Sequence, residues 1–395
     1  MKVAIPKNYI HGRDNRSQEQ IQIEGKQISQ ICSLNEQLFK PLVEQESQKQ
    51  IQKFKNNDLE MKLSGGRYLY YTDRTSFLSE EDKSNSKLPI ILTVHGIPGT
   101  LQDFLSMQQN LQSRLSCRWI NFSVPGLDGK DERRGTYQGY LEDTSLLIKD
   151  FLDELKIDKV ILIMHSAGGL YGKYFMYQYP DRVRASVQAA SIGIEMWAPL
   201  LQENLFFKQF GIDVLKITRE EVDTQQFRDQ FTRQMEQLVK SFENKQDKNN
   251  NLWKAIPIYQ HLMLLKAQLL KGGFDQFFAN IKNIDKRIPR FFAFSQKDSL
   301  LEERHIQQEI YHSILSQQSF DFRLKEDSNF DQIFKLRDKQ NLLNNFIFSY
   351  HDAGHGVQHV KAFDISIKLM IFIKLLDHMQ TFKKTENNTL LKPNL

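Results

Sequence analysis

The sequence predicts an α/β fold: a mostly parallel, twisted sheet flanked by helices, with a helical insertion and an N-terminal helical extension. Three observations predict it. Continuous apolar runs at residues 88–94 (LPIILTV) and 159–164 (KVILIM) read as strands buried on both faces. Between and after them, strand-like and helix-like segments alternate as βαβ units do. The alternation stops near residue 195 and resumes at 288, so one sheet is interrupted rather than followed by a second domain.

In chain order, residues 17–56 are rich in Gln, Glu and Lys. Ile21, Ile28, Ile31, Leu34, Leu38 and Leu42 are spaced by three, four and seven, the stripe of an amphipathic helix. Pro41 is expected to break or bend it. A single apolar stripe must dock, so the extension (residues 1–56) covers either its own core, the reading we favour, or a partner protein. Leu59, Met61 and Leu63 then alternate with polar residues, and residues 67–72 (RYLYYT) form a second strand across a Gly65, Gly66 turn. Residues 79–86 read as a charged loop. Helices are expected at 102–115, 140–155 and 167–179, and strands at 117–122 (CRWINF) and 184–191 (RASVQAAS). They complete a first core part, residues 57–195.

Residues 196–285 read as a helical lid, with Thr218 and Glu221 as a capping box. The second core part, residues 286–381, holds strands at 288–294 (IPRFFAF) and 345–350 (NFIFSY), a polar surface segment at 318–344 and a final helix at 360–379. Residues 382–395 read as a solvated tail.

Composition removes several function classes. Lys and Arg number 53 against 48 Asp and Glu, a formal +5, and the charges are mixed along the chain. With no basic stripe, nucleic acid is not an expected partner. Cys32 and Cys117 are the two cysteines, with no C-x-x-C pair, which argues against a disulfide-stapled secreted scaffold and a thiolate zinc site. Residues 1–8 lack an apolar run, and residues 365–376 are interrupted by Lys368 and Lys374 and too short to span a bilayer. The expectation is a soluble intracellular chain that is not transmembrane, cytoplasmic by default. Lys2, Lys7, Arg13 and Arg16, with Asp14 as the only acid, weakly resemble a transit peptide and make a mitochondrial location the alternative.

The chemistry gathers at residues that end strands. Met164, His165, Ser166, Ala167 and Gly168 lie between a buried strand and a helix, where a sharp turn can lift a Ser hydroxyl clear of the sheet. Small residues are needed two before and two after such a Ser; Gly168 complies and Met164 does not. The bland reading of Ser166 is a helix N-cap. About seventy residues earlier, His95, Gly96, Ile97, Pro98 and Gly99 follow another buried strand. They read as a plain turn, or as a loop whose Ile97 N–H joins the Ala167 N–H in holding an oxyanion. His355, between Gly354 and Gly356, follows the strand at 345–350 and suits a general base. Asp298 follows the strand at 288–294 and suits the acid that orients an imidazole, or caps a helix at 299–313; Glu195 is the fallback acid. His351, His355 and His359 are spaced as metal ligands on a helix would be, but Gly354 and Gly356 argue against a helix there, and no metal is expected.

On these motifs the sequence resembles the α/β-hydrolase superfamily over roughly residues 57–380. HGIPG at 95–99, PGLDG at 125–129, HSAGG at 165–169 and YPDRV at 179–183 stand in the family's order, followed by Asp298 and His355. The nearest likeness is to an uncharacterised eukaryotic branch with HGxPG followed by an aromatic-containing helix, here Asp103 and Phe104. Met164 departs from the elbow Gly. The gap from Asp298 to His355 exceeds the family's usual one, which residues 318–344 would explain, and the N-terminal extension lies outside the family core. The resemblance implies a serine hydrolase with a Ser166, Asp298, His355 triad, acting through an acyl-enzyme with no cofactor. Its small-molecule substrate would be an apolar ester, thioester or amide, if Trp197, Leu200, Leu201, Leu205, Phe206, Phe207 and Phe210 line the cleft. The competing class is a silent hydrolase-fold subunit that binds other proteins, which Met164, the polar insertions and the helix in residues 17–56 would suit.

Overall fold

The computed structural model describes residues 17–75, 88–96, 99–125, 141–192, 282–298, 303–313 and 345–390, with residues 226, 229, 233, 280 and 301. The 79–86 loop, Ile97 and Pro98, most of the 125–129 motif, Glu195, the lid save isolated positions, the 318–344 segment and the last five residues of the tail lie outside the described residues.

Among the described residues, eight strands form one sheet in the order β1-β2-β4-β3-β5-β6-β7-β8. They are β1 (Leu59–Lys62), β2 (Tyr68–Arg74), β3 (Ile90–Val94), β4 (Arg118–Phe122), β5 (Val160–Ser166), β6 (Val183–Ser191), β7 (Arg290–Ser295) and β8 (Asn345–Tyr350). β1 and β2 pair antiparallel, β2 pairs antiparallel with β4, and every pair from β4 to β8 is parallel. β5 is buried at all seven positions. This is why it reads as an unbroken apolar run: a central parallel strand has no solvent face.

The helices whose bounds fall within the described residues are α1 (Gln18–Ser47), α2 (Leu105–Gln112), α3 (Leu141–Glu154), α4 (Gly168–Gln178), α5 (Glu303–Ser313), α6 (Val357–Val360) and α7 (Ala362–Leu390). Two buried apolar clusters lie on the sheet's two faces. One gathers Leu92, Leu162 and Met164 with α3 and α4. The other gathers Ile91, Ile161 and Ile163 with α2 and α7. Alternate residues of each strand feed opposite clusters, as the two-residue period of a strand requires. No helix among the described residues is long and apolar enough to cross a membrane.

The extension docks on its own chain. Phe39 of α1 meets Phe346 and Phe348 edge to face, with ring centroids 5.2 Å apart in both pairs. Asn35 Nδ2 donates to the Ile347 carbonyl (3.0 Å). Among the described residues β8 is the edge strand and its outer carbonyls have no strand partner, so an amide donor from α1 satisfies one of them and blunts the edge. Lys368, fully buried on α7, pairs with Glu36 of α1 (2.6 Å) and with Asp364 (2.7 Å). Pro41 neither ends nor divides α1, which runs to Ser47. Proline removes one N–H, and Leu38, Leu42 and Val43 on either side of it pack against the core. Residues 48–56, expected to extend the helix, are not helical. The final helix also differs from expectation. It starts as the short α6, and α7 carries on to Leu390, into the residues read as tail.

Two further details fix the central layers. The 179–183 motif forms a 3-10 turn, Pro180–Arg182, leading into β6. From it Arg182 Nε donates to the Asp158 carbonyl (2.8 Å) and Nη2 to the Ile157 carbonyl (2.7 Å), closing the turn before β5. Lys173 of α4 is buried and pairs with buried Glu309 of α5 (2.7 Å), and its Nζ donates to the Ile192 carbonyl (2.5 Å). Removing one member of such a pair strands the other charge. Lys173→Met should therefore destabilise the fold by about 3–5 kcal/mol, and Lys173→Met with Glu309→Leu should recover most of the loss. Urea unfolding of the three proteins checks this; an additive double variant would show that the two charges are not coupled.

Candidate active site

Parallel strands deliver their carboxyl-terminal loops to one edge of the sheet, where ligands bind in open α/β folds. Here that edge collects the ends of β3, β5, β7 and β8. Ser166 ends β5 with φ 49°, in the left-handed region that L side chains avoid. An N-cap would have extended backbone; the N-cap of α4 is instead Ala167. The backbone at Ser166 therefore reads as a strained turn, which costs of order 1–3 kcal/mol.

Ser166 Oγ lies 2.8 Å from His355 Nε2. His355 Nδ1 lies 2.9 Å from Asp298 Oδ2 and 3.1 Å from Oδ1. The Asp298 side chain is fully buried, while that of His355 is 17% exposed. Asp298 Oδ1 also accepts the Leu301 N–H (2.9 Å), so the carboxylate both shapes the turn ahead of α5 and faces the imidazole. Asp298 is not the N-cap expected for a helix at 299–313, because that helix begins at Glu303, after a bend at Leu301. His355 is held by its neighbours: the Gly354 N–H donates to Ser295 Oγ (3.0 Å). Gly354 has φ 63°, which glycine permits without strain. His351 takes no part; its Nδ1 lies 3.0 Å from Gln296 Oε1 at the surface. Among the described residues no group of three His, Cys, Asp or Glu side chains could hold a metal ion.

Glycines let the loops meet. A Cβ on Gly96 would stand 2.7 Å from Ser166 Cβ, and one on Gly168 would stand 2.3 Å from the Val94 carbonyl oxygen. The β3 loop therefore passes against the serine without side chains at either point. His95 is buried; its Nε2 accepts the Val124 N–H (3.3 Å), so its Nδ1–H donates to the Gly96 carbonyl (2.8 Å). Asp103 Oδ1 accepts the Thr100 N–H (3.0 Å) and closes the loop after Gly99. Of the two amides expected from the sequence to hold an oxyanion, that of Ala167 stands at the start of α4, where the first helical N–H groups have no partner within the helix. Ile97, like Pro98, is outside the described residues.

Met164 is fully buried, and the space for it comes from Gly172 on α4. A Cβ at Gly172 would lie 2.3 Å from Met164 Sδ. The small residue that the elbow lacks on the strand is thus supplied eight positions on, by the helix. Gly172→Ala should destabilise by about 1–3 kcal/mol through overpacking. In a Met164→Gly background the same change should become neutral or stabilising, because Ala is the better helix former by about 1 kcal/mol. Equal costs in both backgrounds, measured by urea unfolding, would refute the complementarity.

His165, singled out in the sequence only as part of the motif, lies beside the imidazole of His355, with ring centroids 5.0 Å apart. Burial, and then the neighbouring His355, push its pKa down to about 3, so it is neutral at working pH. The buried thiols of Cys32 and Cys117 are free. Burial pushes both up to about 12, which leaves them protonated and poor nucleophiles.

The alpha/beta hydrolase fold family matches residues 89–362, well over half the chain, and the protein belongs to that family. No curated protein sequence matches the chain. Similar solved structures include the haloalkane dehalogenase DbeA from Bradyrhizobium elkani USDA94, 12% identical over 82% of this chain and 100% of its own, with a TM-score of 0.53. Another is the carboxylesterase CesB from Bacillus subtilis, 13% identical over 89% of this chain and 98% of its own, with a TM-score of 0.45. At these identities the likeness is one of fold alone.

Proposed function

We propose that the chain is a serine hydrolase that cleaves an ester, thioester or amide through an acyl-enzyme. One observation carries this reading: the unbroken line from Asp298 Oδ2 to His355 Nδ1 (2.9 Å) and from His355 Nε2 to Ser166 Oγ (2.8 Å). Both distances are within general-base reach. His355 Nδ1–H donates to Asp298, which leaves Nε2 free to accept the Ser166 proton as Oγ attacks a carbonyl carbon. The amides of Ala167 and Ile97 receive the developing oxyanion. The imidazolium returns its proton to the leaving group, and water, deprotonated by the same Nε2, releases the acid and restores Ser166. Asp298 stays ionised and holds the tautomer.

An apolar acyl group is the proposed substrate class, from Trp197, Leu200 and Phe206 at the head of the lid segment. The silent-scaffold alternative has less to rest on, because α1 spends its apolar stripe on its own core rather than leaving it to a partner. The test is a series of p-nitrophenyl esters from acetate to octanoate, with acid-quenched samples mapped by mass spectrometry. An acyl group on Ser166 and kcat/KM rising with chain length are expected. Turnover that survives Ser166→Ala would end the proposal.

A further inference from the structure

We propose that His165 is a positioning residue: as the neutral Nε2–H tautomer it holds the backbone carbonyl of His355, and Gln358 selects that tautomer. The proposal rests on the reading of Ser166 and His355 as the reacting pair.

The proton assignment follows from the partners. His165 Nε2 lies 3.1 Å from the His355 carbonyl oxygen, which can only accept, so Nε2 carries the proton. His165 Nδ1 lies 3.1 Å from Gln358 Nε2. A cationic His165 would need Gln358 to present its oxygen there; a neutral one needs the amide N–H. Three charged or titratable groups act on His165: His355 beside it, His359 on α6, and Asp298 behind His355. Burial, and then the two histidines, disfavour a proton; the hydrogen bond to the His355 carbonyl and, less strongly, Asp298 favour one, and burial prevails. His165 is therefore neutral, its Nδ1 is a bare lone pair, and the Gln358 amide N–H donates to it. Gln358 is 1% exposed, and its Oε1 has no partner among the described residues. The fold thus leaves a buried carbonyl unpaired in order to aim an N–H at one imidazole nitrogen, a cost that a purely space-filling contact would not require.

This places the His355 loop between two anchors. Gly354 N–H is held by Ser295 on β7, and the His355 carbonyl by His165 on β5. The loop has a glycine on each side of His355 and gains no rigidity from them. The anchor on β5 ties the base to the residue next to the nucleophile, so the spacing between Nε2 and Oγ is set by neighbouring atoms. The neutrality of His165 also keeps a second positive charge away from the imidazolium formed during turnover.

The experiment uses the full chain labelled with 15N-histidine. The ring nitrogens of His165 should show a neutral Nε2–H tautomer from pH 8 down to pH 5. A neutral Nδ1–H tautomer, or a titration midpoint above pH 5, would overturn the proposal, whatever the activity. In parallel, His165→Phe should slow fluorophosphonate labelling of Ser166 and kcat by about 10–100-fold, the effect of a displaced catalytic group, with KM little changed. His165→Gln, which can present an amide N–H at the Nε2 position, should restore the rate to within about threefold. Labelling of His165→Phe at the wild-type rate would refute the positioning role. If His165→Phe does not fold, Gln358→Leu serves instead: Nδ1 then loses its donor while Nε2–H stays on the His355 carbonyl, so the Nδ1 15N resonance should move toward that of an unbonded ring nitrogen, and an unchanged Nδ1 resonance would refute the role given to Gln358. Absence of labelling in the wild type would instead count against the hydrolase reading and leave the tautomer measurement to judge His165.

Discussion

Ser166→Ala is expected to lower kcat by about a million-fold, because a triad nucleophile acts as a unit with its base and its loss removes nearly everything the unit contributes. The cause is local. Ser166 Oγ is the atom His355 Nε2 faces at 2.8 Å, and Ala leaves the imidazole with nothing to deprotonate. What remains is the binding and oxyanion contribution, on the order of a thousandfold over water. The same position yields a separate stability prediction. Ser166 has φ 49°, and so would Ala. Ser166→Gly loses the same hydroxyl but relieves the strain, so the Gly variant should be more stable than the Ala variant by about 1–2 kcal/mol. Urea unfolding of the pair measures the strain, and equal stabilities would show that none is stored there.

Asp298→Asn is expected to cost about ten-thousandfold in kcat/KM with little change in fold. The carboxylate is fully buried and accepts from both Leu301 N–H and His355 Nδ1–H. Asn can keep the first bond through Oδ1. It then turns its NH2 toward Nδ1, which must become an acceptor, and the ring proton moves to Nε2. An Nε2–H facing Ser166 cannot take the Ser166 proton. The change is nearly isosteric, so the loss should appear in kcat rather than in thermal stability. Hydrolysis of p-nitrophenyl butyrate measures it, and a loss below tenfold would mean that the imidazole is oriented by another group.

Most of the proposed site was legible as a candidate because its residues follow strands that announce themselves. A central parallel strand has two buried faces, so β3 and β5 read as apolar runs with defined ends, and the next residues had to be loop. Ser166, Asp298 and His355 were found by that position together with residue type. Their meeting is long-range, 189 residues between Ser166 and His355 and 57 between Asp298 and His355, and no local pattern encodes it. The accommodation of Met164 was not legible for the same reason: the compensating Gly172 is on the next helix and looks like any helical glycine until the strand is packed beneath it. Pro41 misled because propensity is local and docking is not. The flanks of α1 are held by β8 and α7, and that packing outweighs one missing N–H. Gln358 carried no signal at all. Its partner is the Nδ1 of a buried His165, and only the folded chain shows which nitrogen that is.

The most direct test of the central claim is reaction of the folded chain with a fluorophosphonate, followed by peptide mapping. This account predicts one phosphonyl group per chain, on Ser166, lost on prior denaturation and in Ser166→Ala, and formed far more slowly in Asp298→Asn. A folded chain that takes up no label, or takes it up on another residue while Ser166 stays unmodified, would contradict it.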